Sequence, residues 1–219
     1  MPAAYISHRL SIRWIPEEAS EPTNTIVLTG ARTGAFLDVR FFKEPRRKTL
    51  DWAFAGYRYT DPDTPNVVKF RHHIDSRTLD EVEDSGTNIN LPDGTTLEVG
   101  EMTDPRTGKM APYEEVWKDE EAGETDTVLF VRSVEGTSWR ARVGKWQLAL
   151  GRGTDGRFWA WQAEEGKDGW IIRDSTESDT RGVTFLPERR DLIGWVEGAT
   201  VRWHAEEWAV LERTSTEET

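Results

Sequence analysis

The chain has 219 residues and a formal net charge of -12, with acidic residues spread along its whole length. This charge argues against a nucleic-acid backbone or an anionic membrane as the partner. The absence of cysteine excludes disulfides, thiolate metal sites and cysteine nucleophiles, and it fits a reducing compartment. Hydrophobic residues make up 36%, enough for a core, and the length suits one elaborate β domain or two small ones.

The N-terminal segment 1–14 has no apolar run of the kind that signal peptides carry. Nowhere does the sequence offer the roughly 18 uninterrupted apolar residues that a membrane helix needs. We therefore expect no membrane partner and a cytoplasmic location.

Apolar and polar residues alternate with period two in many short segments, beginning with Leu10, Ile12 and Trp14. This alternation is typical of half-buried strands, and Gly, Pro and Asp clusters between the segments predict turns. The predicted strands, in chain order, are 9–14, 25–29, 35–42, 51–57, 67–75, 95–101, 113–117, 127–134, 145–152, 157–163, 169–174, 182–186 and 199–213. Short strands at this spacing favour an all-β sandwich or barrel, and we interpret the chain as a barrel protein.

Two segments carry weaker helical signals. The acidic stretch 76–84 predicts a short helix, and the segment 188–196 predicts a helical turn. The apolar alternation stops in the acidic segment 118–126 and resumes at Thr127, which predicts a boundary between an N-terminal barrel, 1–120, and a C-terminal one, 125–214.

Eleven tryptophans are a large excess for a chain of this length. Trp159 and Trp161 share a strand face and could stack on a flat ligand or simply pack a core. Small barrels often keep an interior lined by aromatic side chains, so we expect some of the eleven to reach a cavity.

Two polar residues are candidates for proton transfer. His72 and His73 should face opposite ways unless a bulge intervenes, and His72 falls on the side of Phe70 and Ile74. A histidine there acts either as a general acid or base or as a hydrogen-bonded core residue.

Among the carboxylates, Glu101 alternates in phase with Leu97 and Val99, which predicts that it turns inward with a raised pKa. No HxxxH or HExxH spacing occurs, and the glycines of 151–156 lack the features of a phosphate loop. No GxSxG elbow occurs either. We expect no metal and no cofactor.

Five segments, in order, carry a family resemblance: LDWAFAG (50–56), HIDSRT (73–78), VEDSG (82–86), YEEVW (113–117) and VGKWQLALGR (143–152). Together they resemble the fungal Hri family, whose yeast member is a casein-kinase-interacting protein. The resemblance implies a lipocalin-like fold of two successive calycin-type antiparallel β-barrels. It brings no catalytic residue set with it.

Two functions follow as hypotheses. Fungal lipocalin-like proteins serve secondary metabolism as cofactor-independent cyclases or isomerases. By that analogy we expect a pocket for an apolar or aromatic small molecule, with His72 or Glu101 moving a proton and Trp52, Phe54 and Trp117 holding the substrate. The alternative is a non-catalytic adaptor that docks a basic partner such as a protein kinase. Of the two barrels, the first is the expected host of the pocket.

Overall fold

The computed structural model describes residues 3–43 and 49–214. Within these ranges the regular structure consists of fifteen β-strands and one 3-10 turn, with no α-helix. No helix in the described ranges is long and apolar enough to cross a membrane.

The first eight strands form a closed antiparallel barrel, each pairing with the next and β8 pairing with β1. The strands are β1 (Tyr5–Trp14), β2 (Thr23–Thr29), β3 (Ala35–Phe42), β4 (Leu50–Asp61), β5 (Thr64–Asp75), β6 (Val82–Asn90), β7 (Thr96–Asp104) and β8 (Lys109–Glu121).

The remaining strands form a seven-stranded antiparallel sheet in the order β13-β12-β11-β10-β9-β15-β14. They are β9 (Val128–Ser133), β10 (Ser138–Val143), β11 (Trp146–Arg152), β12 (Phe158–Gly166), β13 (Gly169–Ser175), β14 (Thr200–Trp203) and β15 (Glu206–Arg213). The all-β prediction is confirmed, and a closed barrel followed by a second antiparallel sheet is consistent with two successive barrels.

Several local predictions need correction. The segment 76–84 forms no helix, and 182–186 forms no strand. The range 199–213 contains two strands joined by a turn at His204 and Ala205, which both adopt positive φ. The predicted helical turn in 188–196 is present as a 3-10 turn at Arg189–Asp191. Strands β6 and β10 were not predicted.

Strand β3 shows how the barrel is built. Ala35, Leu37, Val39 and Phe41 point outward into a buried core, and the alternate residues point into the barrel. Every residue of the strand but the last is buried. This explains why an almost continuous apolar run carries two charged residues.

The outer faces of β2, β3 and β4 pack against one face of the second sheet. One hydrophobic cluster contains side chains from both, among them Leu37, Phe41, Phe130, Trp139 and Leu148, all fully buried. The core is therefore continuous between the two sheets.

Two buried polar side chains of the second sheet fix this contact. Gln162 donates through Nε2 to the carbonyl oxygens of Asn24 and Val39, at 3.0 and 2.7 Å. Glu212 accepts the backbone N–H groups of residues 31–33 at 2.7 to 3.1 Å. The β2–β3 turn is thereby held by a carboxylate from the far end of the chain.

The link between the two sheets runs from the end of β8 at Glu121 to the start of β9 at Val128. It overlaps the acidic segment 118–126. The division into domains 1–120 and 125–214 stays a prediction.

Candidate functional site

The barrel encloses a cavity of about 90 Å³. Inward-facing side chains from all eight strands line it. One part of the wall is aromatic, formed by Phe36, Trp52, Phe54, Phe70 and Trp117. The other part is polar, and its central members are Asp38, Arg40, Glu98, Tyr113 and Glu115. Half-buried residues at one end, including Tyr5, Arg58 and Thr96, mark the side nearest solvent.

The aromatic side chains pack on one another. The ring of Phe54 lies 4.3 Å from that of Trp52, and Phe36 meets Phe54 edge-on at 5.7 Å. Phe36 also contacts Phe70 edge-on at 5.4 Å. These contacts hold the rings as a rigid wall against which an apolar ligand could pack.

A buried charge network closes the other end of the barrel. Arg40 donates to both oxygens of Asp38, at 3.0 and 2.7 Å, and its guanidinium lies 4.9 Å above the centre of the Trp52 ring. Glu115 accepts from Arg9 and lies 3.4 Å from Nη1 of Arg40. Burial raises the pKa of Asp38, and the nearby arginines oppose that rise. The charges in this network compensate one another.

Glu98 and Tyr113 form the neutral part of the polar wall. The Tyr113 hydroxyl donates to Glu98 Oε1 at 2.7 Å. Burial, followed by the charge of Glu115, raises the pKa of Glu98 to about 8, so this carboxyl is protonated at neutral pH. Burial likewise raises the pKa of Tyr113.

Two glycines paired across β6 and β7 make room for these side chains. A Cβ on Gly86 would lie 2.5 Å from Cγ of Glu98, and one on Gly100 would lie 2.9 Å from the Tyr113 ring. Neither position accepts a side chain without displacing the Glu98–Tyr113 pair.

Replacement of Glu98 by glutamine is expected to change how stability depends on pH. The pKa of Glu98 is raised from 4.5 to about 8 in the folded protein, which therefore binds this proton more tightly than the unfolded chain. The free energy of unfolding of the wild type should fall as the pH rises from 4.5 to about 8. The Glu98→Gln variant has no carboxyl to ionise at this position, so it should lack this contribution to the fall. We expect the variant to gain at least about 1.4 kcal/mol relative to the wild type between pH 5 and pH 9, measured by urea unfolding.

The matched control is Glu101→Gln, at an exposed position on the same strand. It should leave the pH dependence of the wild type in place. Parallel stability curves for the wild type and Glu98→Gln would contradict a protonated Glu98.

His72 is buried behind the cavity wall and touches two carboxylates. Its Nδ1 lies 2.8 Å from Asp75 Oδ2, and its Nε2 lies 3.5 Å from Asp84 Oδ2 without a well-aligned hydrogen bond. Asp75 also accepts the indole N–H of Trp52 at 2.9 Å. Burial alone would lower the pKa of His72, but the hydrogen bond to Asp75 and the neighbouring Asp84 raise it to about 9, so the ring is cationic at neutral pH.

His72 and His73 lie on opposite sides of the barrel wall, as strand alternation predicts, and a β-bulge is present at His73. Residues 72 and 74 pair with the consecutive residues 56 and 55, which leaves His73 as the extra residue. His72 stacks on Phe54 inside, and His73 packs against Trp139 outside. The bulge sends Ile74 to the outer core, against the prediction that Ile74 and His72 share a face. Gly56 is required here, because a Cβ would lie 1.8 Å from the carbonyl oxygen of Arg71.

The structure brings together the three predicted aromatic residues, since Trp52, Phe54 and Trp117 all line the cavity. His72 does not line it but contacts Asp84, which does. The inward orientation predicted for Glu101 is wrong, since Glu101 is exposed.

The reason for the wrong orientation is that Leu97 and Val99, the apolar residues used to set the phase of β7, do not face the interior. Leu97 and Val99 are half-buried and do not line the cavity, whereas Thr96, Glu98 and Met102 do. The inner wall of this strand is mostly polar, so apolar alternation indicates the wrong phase.

Sequence reasoning missed the polar wall, although one signal for it was present. Tyr113, Glu115 and Trp117 alternate within YEEVW and share the inner face of β8. A strand face that combines two aromatic residues with a carboxylate points to a polar interior. Within the described ranges, no group of three or more His, Asp or Glu residues could hold a metal ion.

The fold is similar to that of a known structure. The crystal structure of an uncharacterized protein from Saccharomyces cerevisiae superposes with a TM-score of 0.71 at 15% identity, covering 97% of this chain and 100% of that one. At this identity the likeness concerns the fold alone. No curated protein matches the sequence significantly.

The sequence also matches a family model. The model described as Protein HRI1 aligns with residues 5–212, which include every strand of the barrel and all but the last residue of the second sheet. This match confirms the resemblance seen in the five short segments. The chain belongs to the HRI1 family.

Proposed function

We propose that the eight-stranded barrel binds a small aromatic or apolar molecule in its cavity. The observation that carries the proposal is the composition of the wall, in which Trp52, Phe54 and Trp117 lie beside the hydrogen-bonded pair of Glu98 and Tyr113. Pockets that bind small molecules typically combine an apolar lining with a few placed polar groups.

The size of the cavity limits the ligand. Its volume of about 90 Å³ is below the range of roughly 300–1,000 Å³ that drug-sized ligands occupy. A cavity of about 150 Å³ can hold benzene. The cavity of the barrel is smaller than that, so it limits the ligand to a single ring, part of which would occupy the end near Tyr5 and Arg58.

The polar wall also supports a proton-transfer step, and we extend the proposal to a cofactor-independent isomerase or cyclase. Glu98 replaces Glu101 as the carboxyl that faces the ligand, and its pKa near 8 suits a general acid at neutral pH. His72 would act through Asp84, whose carboxylate it faces, as a positioning residue.

Binding can be tested with a substitution that fills the cavity. Val27 lines it and is 7% exposed, so Val27→Phe is expected to occupy the space of a ligand ring. We expect single-ring aromatic compounds to bind the wild type saturably in ligand-detected NMR and calorimetry. Affinity for them should fall at least about tenfold, or 1.4 kcal/mol, in Val27→Phe.

The matched control is Val134→Phe, the same substitution at a position that is 50% exposed. It should bind as the wild type does. The smaller Val27→Leu should have an intermediate effect if Val27→Phe disturbs the fold. Absence of saturable binding to the wild type would overturn the proposal and favour the non-catalytic adaptor, with a protein kinase as the candidate partner.

A further inference from the structure

Two polar atoms on the cavity wall are left without a hydrogen-bond partner by the residues that the structure describes. In the part of the chain that the structure describes, neither the indole Nε1–H of Trp117 nor Oδ1 of Asn88 makes a hydrogen bond, although both atoms are shielded from solvent. Both residues line the cavity. A buried polar group without a partner costs free energy, so these two atoms are candidates for ligand recognition.

The two atoms lie on the same wall as Glu98. Asn88 is paired directly with Glu98 across β6 and β7, and Trp117 is paired with Thr96 across β7 and β8. Side chains opposite each other on one sheet face have Cβ atoms about 4.5–5.5 Å apart. A donor from Trp117, an acceptor from Asn88 and the carboxyl of Glu98 therefore line neighbouring strands on one side of the ligand space.

Other buried indole groups lack partners as well, but their surroundings differ. Trp139, Trp146 and Trp208 also carry an unbonded Nε1–H. Their rings pack in hydrophobic clusters and do not line the barrel cavity. Only the Trp117 group, among these four, can be reached by a ligand in the barrel.

The charged side chains deep in the cavity are paired within the protein. Arg40 is held by Asp38, and Glu115 by Arg9. Asp84, which lines the cavity, lies 3.5 Å from His72 behind the wall. A charged ligand would lose its hydration there and meet charges that are already paired, whereas Arg58, which lines the end near solvent, has no ion pair among the described residues. The deep part of the cavity therefore favours an uncharged ligand.

We propose that the ligand of the barrel is an uncharged aromatic compound that carries a hydroxyl and a carbonyl oxygen, as in a hydroxyaryl ketone. Its carbonyl oxygen accepts the Trp117 indole N–H, and its hydroxyl donates to the Asn88 side-chain oxygen. This inference rests on the proposed function, since it names the ligand class of the same cavity.

A series of single-ring probes that differ in polar groups and charge tests the proposed ligand class. The probes are 4-hydroxyacetophenone, phenol, toluene, benzoate and benzylammonium, measured against the wild type by calorimetry and ligand-detected NMR at pH 7. We expect 4-hydroxyacetophenone to bind at least tenfold more tightly than toluene, with phenol between them, and the two charged probes to bind most weakly. Equal binding of toluene and 4-hydroxyacetophenone, or preferred binding of a charged probe, would overturn the ligand class and leave the pocket itself supported. Failure of every probe would overturn the pocket and the ligand class together.

Two substitutions test whether the Trp117 indole N–H and the Asn88 side-chain oxygen bind the ligand. Trp117→Phe keeps an aromatic ring but removes the N–H, and Asn88→Leu removes the acceptor. Each substitution should lower the affinity for 4-hydroxyacetophenone about tenfold and leave the affinity for toluene unchanged. Trp159→Phe, in the second sheet and away from the cavity, is the matched control and should change neither affinity.

A stability measurement separates recognition from a structural role. Because Oδ1 of Asn88 has no hydrogen-bond partner among the described residues, Asn88→Leu should not lower the urea midpoint. A clear loss of stability in Asn88→Leu, or an unchanged affinity for 4-hydroxyacetophenone in both variants, would contradict the assignment of these atoms to the ligand.

Discussion

Replacement of Arg40 by methionine is expected to destabilise the folded protein by about 3–5 kcal/mol at pH 7. Arg40 makes a two-point contact with Asp38, whose side chain is 5% exposed. Without the guanidinium, Asp38 must either keep an uncompensated buried charge or take up a proton. The free energy of unfolding, measured by urea titration, gives the size of the loss.

The same physical reason predicts a pH dependence. Burial already raises the pKa of Asp38, and removal of Arg40 takes away the group that opposes this rise. The stability difference between the wild type and Arg40→Met should therefore shrink as the pH is lowered and Asp38 becomes protonated in both folded and unfolded chains.

Two variants serve as controls for Arg40→Met. The double variant Asp38→Asn, Arg40→Met leaves no buried charge at position 38 and should recover part of the loss. Arg181→Met breaks a surface pair with Asp179 and should cost less than about 1 kcal/mol. A loss in Arg40→Met no larger than that in Arg181→Met would contradict the view that the barrel interior isolates its charges from water.

The sequence allowed the barrel to be predicted because period-two alternation survives on most strands that have one apolar face. On β4 the predicted aromatic residues Trp52 and Phe54 alternate inward with small residues outward, Ala53 and Ala55, which pack against the second sheet. Such a strand is recognisable from its own residues.

Strand β10 was not predicted, although its residues alternate with period two. Trp139, Ala141 and Val143 face the core shared with the barrel, and the other face carries Arg140 and Arg142. Arg140 donates to the carbonyl oxygen of Thr184 at 2.7 Å, and Arg142 pairs with Glu188 at 2.8 Å. Both partners lie in the segment that crosses this face of the sheet, and the residues of β10 itself do not indicate that these partners are present.

The same crossing segment explains the strand wrongly predicted at 182–186. Val183 and Phe185 do alternate, and both pack against the second sheet beside Trp161. They lie over the face of the sheet instead of pairing at its edge. Burial on one side therefore produced the pattern of a strand without its hydrogen bonds.

The candidate site could be predicted only in its apolar half. Trp52, Phe54 and Trp117 follow from alternation together with the family resemblance. Glu98 could not be found by asking which residues are in phase with apolar neighbours, since it depends on Tyr113 of β8 and on the space beside Gly86 of β6. A polar interior is a property of the closed barrel, and β8, with Glu115 between Tyr113 and Trp117 on its inner face, is the strand whose own residues signal it.

Replacement of Trp139 by alanine is expected to destabilise the protein by about 3–5 kcal/mol and to loosen the barrel as well as the second sheet. Trp139 is fully buried in β10 of the second sheet, yet its ring meets Tyr57 edge-on at 5.6 Å and His73 at 6.2 Å, both from the barrel. The cavity left by alanine would open the cluster that the two sheets share. Urea unfolding followed together with amide hydrogen exchange in β4 would measure both effects.

Trp208→Ala is the matched control, because Trp208 is equally buried but packs on the opposite face of the second sheet, beside Leu186 and Leu192. If 1–120 and 125–214 are independent domains, neither substitution should change exchange in β4. If the shared core couples them, Trp139→Ala should speed exchange in β4 more than Trp208→Ala does at a comparable loss of stability. The continuous cluster and the contacts from Gln162 and Glu212 favour the coupled result. The barrel that holds the cavity would then depend on the second sheet for its shape, since β3 and β4 carry both the cavity wall and the shared core.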